Sequence, residues 1–274
     1  MFILDRRSFL QITGATAAAT ALWPASAMAA PQSAEVFTGD AAGGNVDSVI
    51  LMGSETALLV DTQFSPENAV RLADVIAATG RSLGTVFITH AHPDHYSGLP
   101  VIRERFPDVR AVAHPEVLAL LPVADIGAVE ALDGPLMLEG EEVQVLGPMH
   151  GDTDVITPLY VPSLDTLIAA DMAYVDCHVW VAENTSTERL DLWRANLDTL
   201  EAMAAGTVIP GHRLDTSAND ASVFAFTRAY LDVWQQALAE TDSAEALTAR
   251  MMDGREDLGL AFAVQMAVGA VYPE

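Results

Sequence analysis

The chain has 274 residues, 51% of them hydrophobic and 19% charged, which describes a globular protein and not a disordered one. Its formal net charge is −25, it has no lysine, and every cation is arginine, so nucleic acid and anionic membranes are excluded as partners by repulsion. A single cysteine, Cys177, rules out an internal disulfide, and no stretch beyond the N-terminus is long and apolar enough for stable membrane insertion.

In chain order, Arg6-Arg7 with Phe9 and Leu10 come first, followed by the modest apolar run ITGATAAATALW and the small-residue stretch ASAMAA. This resembles a twin-arginine export signal ending in an A-x-A cleavage site, with an ordinary secretory signal as the alternative. Residues 1–29 are therefore read as signal peptide and residues 30–274 as the folded domain with a C-terminal helical extension. Export machinery becomes a partner, and the mature protein is expected in the periplasm or outside the cell.

Strands and helices then alternate. VDSVILMG and TALLV read as two strands joined by a turn at Ser54-Glu55, with Asp61 just past the second. Ser65-Pro66 reads as cap and first residue of a helix whose apolar stripe is Leu72, Val75 and Ile76, ended by Gly80. TVFI is a buried strand, VRAVAHP another, and PEVLALL a short helix. EEVQVLG leads to Met149-His150. VITPLYVP and TLIAAD read as a hairpin pair ending at Asp171. Leu190, Trp193, Leu197 and Leu200 have helical spacing. GTVIPGHR is a strand running into His212, and a long helix follows with Phe224, Tyr230, Leu231 and Trp234 in the core. The remaining stretch from Glu245 reads as helical.

The densest group of metal-binding side chains is THAHPDHYSG, in the arrangement His90-x-His92-x-Asp94-His95. Imidazole nitrogens and carboxylate oxygens bind borderline cations such as zinc. One loop cannot complete two coordination spheres, so other strand ends must contribute. His150, Asp171 and His212 each follow or close an apolar strand-like run, and functional groups collect at such ends in layered α/β folds.

In order and spacing, H-x-H-x-D-H followed by His150, Asp171 and Gly211-His212 resembles the metallo-β-lactamase superfamily over about Ile50 to Arg213. The resemblance implies a four-layer αββα sandwich with a metal site at the edge of its two sheets. It implies two zinc ions, other divalent metals being possible. His90, His92 and His150 would hold the first, Asp94, His95 and His212 the second, and Asp171 would bridge them. Asp94 would also act catalytically, and Asp61, Thr89 and Asp152 would orient the imidazoles from behind.

The activity so implied is hydrolysis of a carbonyl substrate (lactone, ester, thioester or β-lactam) by a water that the two ions share and acidify. Asp171 together with His95 resembles the glyoxalase II, lactonase and general hydrolase branches more than the lactamases that place a cysteine ligand at that point. A mononuclear iron oxidoreductase of the persulfide-dioxygenase type, or a periplasmic metal-binding protein without catalysis, are the alternatives. The substrate is expected to be a small molecule, neutral or singly charged, because a polyanion would be repelled. Tyr174, Trp180 and Tyr96 are expected in the pocket wall. His178 lines the pocket or is a plain loop residue. Arg213 reaches the rim to hold a carboxylate or pairs with Asp215.

Overall fold

The structure, a computed structural model, describes residues 33–273; the expected signal peptide lies outside them. The strands are β1 (Ser33–Thr38), β2 (Asp47–Met52), β3 (Thr56–Val60), β4 (Ser82–Ile88), β5 (Arg110–Ala113), β6 (Glu130–Ala131), β7 (Leu136–Leu138), β8 (Glu141–Val145), β9 (Leu159–Val161), β10 (Thr166–Tyr174) and β11 (Thr207–His212). The helices are α1 (Pro66–Ala78), α2 (Pro93–Tyr96), α3 (Leu99–Arg105), α4 (Pro115–Leu118), α5 (Val123–Ile126), α6 (Thr187–Glu201), α7 (Ser222–Glu240), α8 (Ala244–Met252) and α9 (Phe262–Val271).

Two sheets form, in the orders β1-β2-β3-β4-β5-β6 and β11-β10-β9-β8-β7. The period-2 alternation of side chains sends residues to opposite faces of each strand. Val49, Leu51, Leu58, Val60 and Phe87 therefore meet Leu159, Val161, Ile168 and Ile209 between the sheets. Their neighbours Ile50, Leu59, Val86 and Ile88 face outward onto Leu72 and Ile76 of α1 and Ile102 of α3. On the far side, Leu167, Ala169 and Tyr174 pack against Trp193 and Leu197 of α6 and Leu231 and Trp234 of α7. Both faces of both sheets are covered, which is the expected αββα sandwich, and which explains why its central strands read as unbroken apolar runs.

Local signals set the helix starts. Ser65 accepts a hydrogen bond from Asn68 N ahead of Pro66, and Ser186 does the same for Arg189 N at the start of α6. The four residues that announced α6, Leu190, Trp193, Leu197 and Leu200, are its buried residues. Strand β10 runs on past Asp171 to Tyr174, with register shifts against β11 on either side of Ala170, whose φ is 48°. This irregularity re-aims the strand where Asp171 leaves it. The stretch after Glu240 is two helices, α8 and α9, separated by residues 253–261. β1 pairs with β2 at the sheet edge, its Ala34 and Val36 packed on the inter-sheet core and Phe37 on the other face.

One surface carboxylate staples the two sheets at the end away from the site. Glu139, between β7 and β8, accepts from Ser54 N at 2.8 Å, Ser54 Oγ at 2.6 Å, Glu55 N at 2.7 Å, Thr56 N at 2.7 Å and Thr56 Oγ1 at 3.1 Å. These donors, Ser54 Oγ first, pull its pKa down from the usual value to about 2. A depressed folded-state pKa adds stability above the unfolded value of about 4.5, and that stability is lost as pH falls through about 2. Glu139→Gln should therefore unfold at lower denaturant concentration than the parent at pH 6. The gap should close as pH is lowered toward 2, and urea titrations at a series of pH values check it.

Candidate metal centre

The ends of β3, β4, β10 and β11 converge on one open cavity of about 180 Å³. His92, Asp94, Asp152, Asp171 and His212 form its polar end; Phe64, Trp180, Leu260 and Phe262 form apolar walls, with Gly43, Gly44 and Pro93 beside them.

Asp61 organises the histidine loop. It follows β3 with a φ of 60°, a left-handed conformation that aspartate tolerates better than most residues. Its carboxylate accepts from Thr89 N at 2.9 Å, from Thr89 Oγ1 at 2.7 Å and from His95 Nδ1 at 2.7 Å. Because Thr89 Oγ1 gives its proton to Asp61, it must accept from His90 Nδ1, 2.9 Å away.

Each of four histidines is backed in this way. Nδ1 of His90 is held by Thr89, Nδ1 of His95 by Asp61, Nε2 of His92 by Glu183 Oε1 at 2.8 Å, and Nδ1 of His212 by the Gly44 carbonyl at 2.7 Å. An acceptor behind one ring nitrogen fixes the tautomer and leaves the other nitrogen a free lone pair, the arrangement found behind metal-bound imidazoles. The freed nitrogens point at carboxylates. His95 Nε2 is 3.2 Å from Asp171 Oδ1, His212 Nε2 is 3.1 Å from Asp171 Oδ2 and 3.3 Å from Asp94 Oδ2, and His92 Nδ1 is 3.1 Å from Asp152 Oδ2. Asp171 can reach this position because residue 211 is glycine: a Cβ there would collide with Asp171 Oδ1.

Two sets of donor atoms result, His90-His92-Asp152-Asp171 and Asp94-His95-His212, each within 4.8 Å of one another. Four atoms in this cluster, His90 Nε2, His95 Nε2, Asp152 Oδ1 and Asp171 Oδ1, are buried without a hydrogen-bond partner. An unsatisfied buried polar atom costs about 1–3 kcal/mol, and divalent cations would satisfy all four. The donor chemistry therefore fits two such ions.

The electrostatics agree. Burial disfavours charge throughout, but Asp171 and Asp94 outweigh it and hold His95 and His212 well above the ordinary imidazole range. Asp171 is held well below the carboxylate range against its burial by His95, His212 and His90. Burial lifts Asp152, and also lowers His90, which lies beside His95. The cluster draws positive charge inward, as protons on His95 and His212 or as cations in their stead.

Six expectations need correction. His150 does not join the cluster; its Nε2 meets Asn184 Oδ1 at 2.8 Å and its Nδ1 meets Asp154 Oδ1 at 3.1 Å. Asp152, expected behind the histidines, stands among them. Tyr174 is not a cavity wall. It is fully buried under the cluster, its ring stacked on His212 at 5.0 Å and its OH 2.7 Å from Asp171 Oδ2 and 2.9 Å from Asp152 Oδ2. His178 is a core residue paired with Tyr230 OH at 2.9 Å. Arg213 lies behind the site, its Nε bonded to Asp47 Oδ2 at 2.9 Å and not to Asp215. Tyr96 packs on the outer core. Trp180 does line the cavity, 5.7 Å from the His92 ring and 6.3 Å from Phe262.

Glu183, Asn184, Phe64 and Phe262 escaped the sequence reading. Glu183 and Asn184 sit a few residues beyond Trp180, and Phe64 three beyond Asp61, so proximity to recognised site segments was the available signal. Phe262 comes from the C-terminal region, where nothing in the pattern distinguishes it from a core residue.

A two-sheet αββα sandwich with a buried His/Asp cluster where strand ends meet is a fold whose donor set suits metal ions. The sequence profile of the metallo-β-lactamase superfamily matches residues 41–212, and the chain belongs to that superfamily. A twin-arginine translocation signal profile matches residues 4–23. Over 74 residues, 27% of this chain, it is 34% identical to hydroxyacylglutathione hydrolase of Stenotrophomonas maltophilia (strain R551-3), of which the match spans 25%. Solved structures of similar fold include a metallo-β-lactamase from Pontibacter korlensis, with 22% identity, TM-score 0.56, and coverage of 68% of this chain and 87% of that one. The DIM-1 metallo-β-lactamase exposed to ceftazidime is another, with 18% identity, TM-score 0.56, and coverage of 73% and 91%.

The Arg213–Asp47 pair is nearly closed to solvent, at 7% and 1% exposure, and joins the end of β11 to the start of β2. Burial pushes the Asp47 carboxyl up to about 7 even against the pull of Arg213. Arg213→Ala leaves that carboxyl buried without its counter-ion and should cost about 3–5 kcal/mol of stability. Adding Asp47→Asn to the same chain should restore part of the loss. Chemical unfolding of both variants checks this.

Proposed function

We propose that this protein is an exported, dinuclear zinc-dependent hydrolase of small carbonyl compounds (lactones, esters, thioesters or β-lactams) that carry an apolar group. The observation that supports it most is the four orphaned donor atoms of His90, His95, Asp152 and Asp171 gathered in one buried cluster, with each of its four histidines backed by an acceptor. His90 and His92 would hold one ion, Asp94, His95 and His212 the other, and Asp171 lies within reach of both sets. Such ions act as Lewis acids and lower the pKa of water from 15.7 toward about 7.

The chain's own groups supply the rest. Asp94 is 21% exposed, lines the cavity and stays ionised, because His95 and His212 outweigh its burial. It is placed to accept a hydrogen bond from the attacking water and so to orient it. Thr89, Asp61, Glu183 and Gly44 hold the imidazoles at fixed angles, so little reorganisation accompanies the reaction.

The walls support the proposed substrate class. Phe64 and Phe262 are 46% and 45% exposed, large apolar side chains left open at the mouth. With Trp180 and Leu260 they form a surface for an acyl or aromatic group. No arginine lines the cavity, and Arg213 is engaged by Asp47, so a substrate carboxylate finds no cationic anchor among the described residues. Neutral compounds are thus favoured over polyanions, including a glutathione thioester with its two carboxylates. Leu260 and Phe262 belong to the C-terminal extension, so residues 30–274 act as one hydrolase domain in which that extension supplies a wall. The export signal puts the mature enzyme in the periplasm or beyond.

Zinc-loaded mature protein should contain about two ions per chain and hydrolyse neutral lactones or esters with apolar acyl groups; a chelator should abolish turnover and zinc restore it. One tightly held iron with sulfur-oxygenating activity, or bound metal with no hydrolysis across the panel, would refute the assignment. Trp180→Ala should raise KM for an aromatic ester about tenfold, the equivalent of about 1.4 kcal/mol of lost apolar contact, with kcat changed far less. Steady-state kinetics measures the split.

A further inference from the structure

We propose that Asp152, and not His150, is the third protein ligand of the ion held by His90 and His92, and that Asn184 imposes this choice. The proposal rests on the dinuclear reading above and concerns which side chain completes one of its two sites.

The argument begins with the Asn184 amide. Its Nδ2 donates to the Gly151 carbonyl at 3.1 Å and to the Asp152 carbonyl at 2.8 Å. Both donor hydrogens are thereby used, and the orientation of the amide is fixed: Oδ1 faces His150 Nε2 at 2.8 Å. An amide oxygen only accepts, so His150 Nε2 carries its proton and has no lone pair to offer a cation. The other nitrogen, Nδ1, faces the Asp154 carboxylate at 3.1 Å. Both nitrogens of His150 are therefore committed to groups outside the cluster, whereas each of the four clustered histidines turns one nitrogen toward the cluster's carboxylates.

Asn184 cannot easily yield. It is fully buried, its backbone N–H donates to Val181 O at 2.9 Å, and its carbonyl accepts from Trp234 Nε1 at 3.2 Å. The loop it grips is closed by Met149 N to Ile156 O at 2.8 Å, by Ile156 N to Met149 O at 2.9 Å, and by Gly151 N to Thr153 O at 2.9 Å. With the carbonyls of residues 151 and 152 clamped, His150 points away from the cluster and Asp152 into it.

Asp152 has what His150 lacks. It is fully buried, and one oxygen, Oδ1, has no hydrogen-bond partner. The other lies 3.1 Å from His92 Nδ1 and 2.9 Å from Tyr174 OH. That phenol also lies 2.7 Å from Asp171 Oδ2, so a single proton is shared between the two carboxylates and sets their spacing. Asp152 is within 4.8 Å of His90, His92 and Asp171 donor atoms, and His150 is in no such group. The first site then offers two imidazoles and two carboxylates. That set is richer in oxygen than a three-histidine site and should broaden metal choice toward manganese.

Metal content after zinc loading and gel filtration, read by elemental analysis, tests the assignment in the full mature chain. The wild type should hold about two ions, Asp152→Asn about one, and His150→Ala about two, with circular dichroism confirming that each variant is folded. Substituting cobalt(II) adds a spectroscopic readout: Asp152→Asn should remove part of the visible absorption, and His150→Ala should leave it nearly unchanged. If Asp152→Asn does not fold, the zinc-loaded wild-type crystal structure decides. An Asp152 oxygen at about 2.0–2.2 Å from the ion supports the proposal, and His150 Nε2 at about 2.0–2.1 Å overturns it. Two ions in the wild type with one lost only in His150→Ala overturns this assignment alone, whereas a wild type that binds no ion overturns the dinuclear reading and this assignment with it.

Discussion

The Asp61 carboxylate accepts three hydrogen bonds, two from Thr89 and one from His95, and through Thr89 Oγ1 it governs His90 as well. It sits at the end of β3 while the groups it holds begin at the end of β4, so two parallel strands are locked together where their side chains turn into chemistry. A buried carboxylate is tolerable only with partners of this kind. Remove them and the histidine loop has neither fixed tautomers nor a fixed direction. The rest of the centre is built outward from this point.

The opposing sheet must deliver Asp171 and His212 to the same place. The irregular register of β10 at Ala170 and the absence of a side chain at Gly211 allow Asp171 to stand between the two sets of donors. His212 is carried by β11 and bridges to Val46, while Arg213 pairs with Asp47 one residue on. The two sheets are thus stitched at the site by buried polar contacts and, at the far end, by Glu139. Between these stitches the inter-sheet core is apolar. A rigid frame of this sort suits a centre whose donors must hold their positions before a cation or a substrate arrives.

How far the sequence foretold this depends on which physics each residue answers to. The apolar runs of β2, β3, β4 and β10 and the stripe of α6 follow burial, and periodicity reports burial directly. His90, His92, Asp94, His95, Asp171 and His212 were recognisable as a set because their spacing places them at strand ends. His150 was chosen by the same positional logic, but its direction is decided by Asn184, a partner 34 residues away whose hydrogen bonds no local pattern encodes. Tyr174 and Arg213 were placed near the site correctly and on the wrong side of it, since adjacency along a strand does not say which face a side chain takes once a bulge intervenes. Phe262 reaches the cavity only through the packing of the C-terminal helices, so long-range topology alone reveals it.

The central claim is that this buried cluster is organised to receive cations, its unsatisfied donors being the deficit that binding removes. Ligands that bind only the folded state raise its stability by mass action, by about 2.7 kcal/mol at a hundredfold excess over the dissociation constant. Thermal unfolding of metal-stripped mature protein, with and without added zinc, measures this most directly. A rise of several degrees in the midpoint, reversed by a chelator and lost when His90 and His95 are both replaced by alanine, is the predicted result. A midpoint indifferent to zinc, manganese and cobalt would contradict the account.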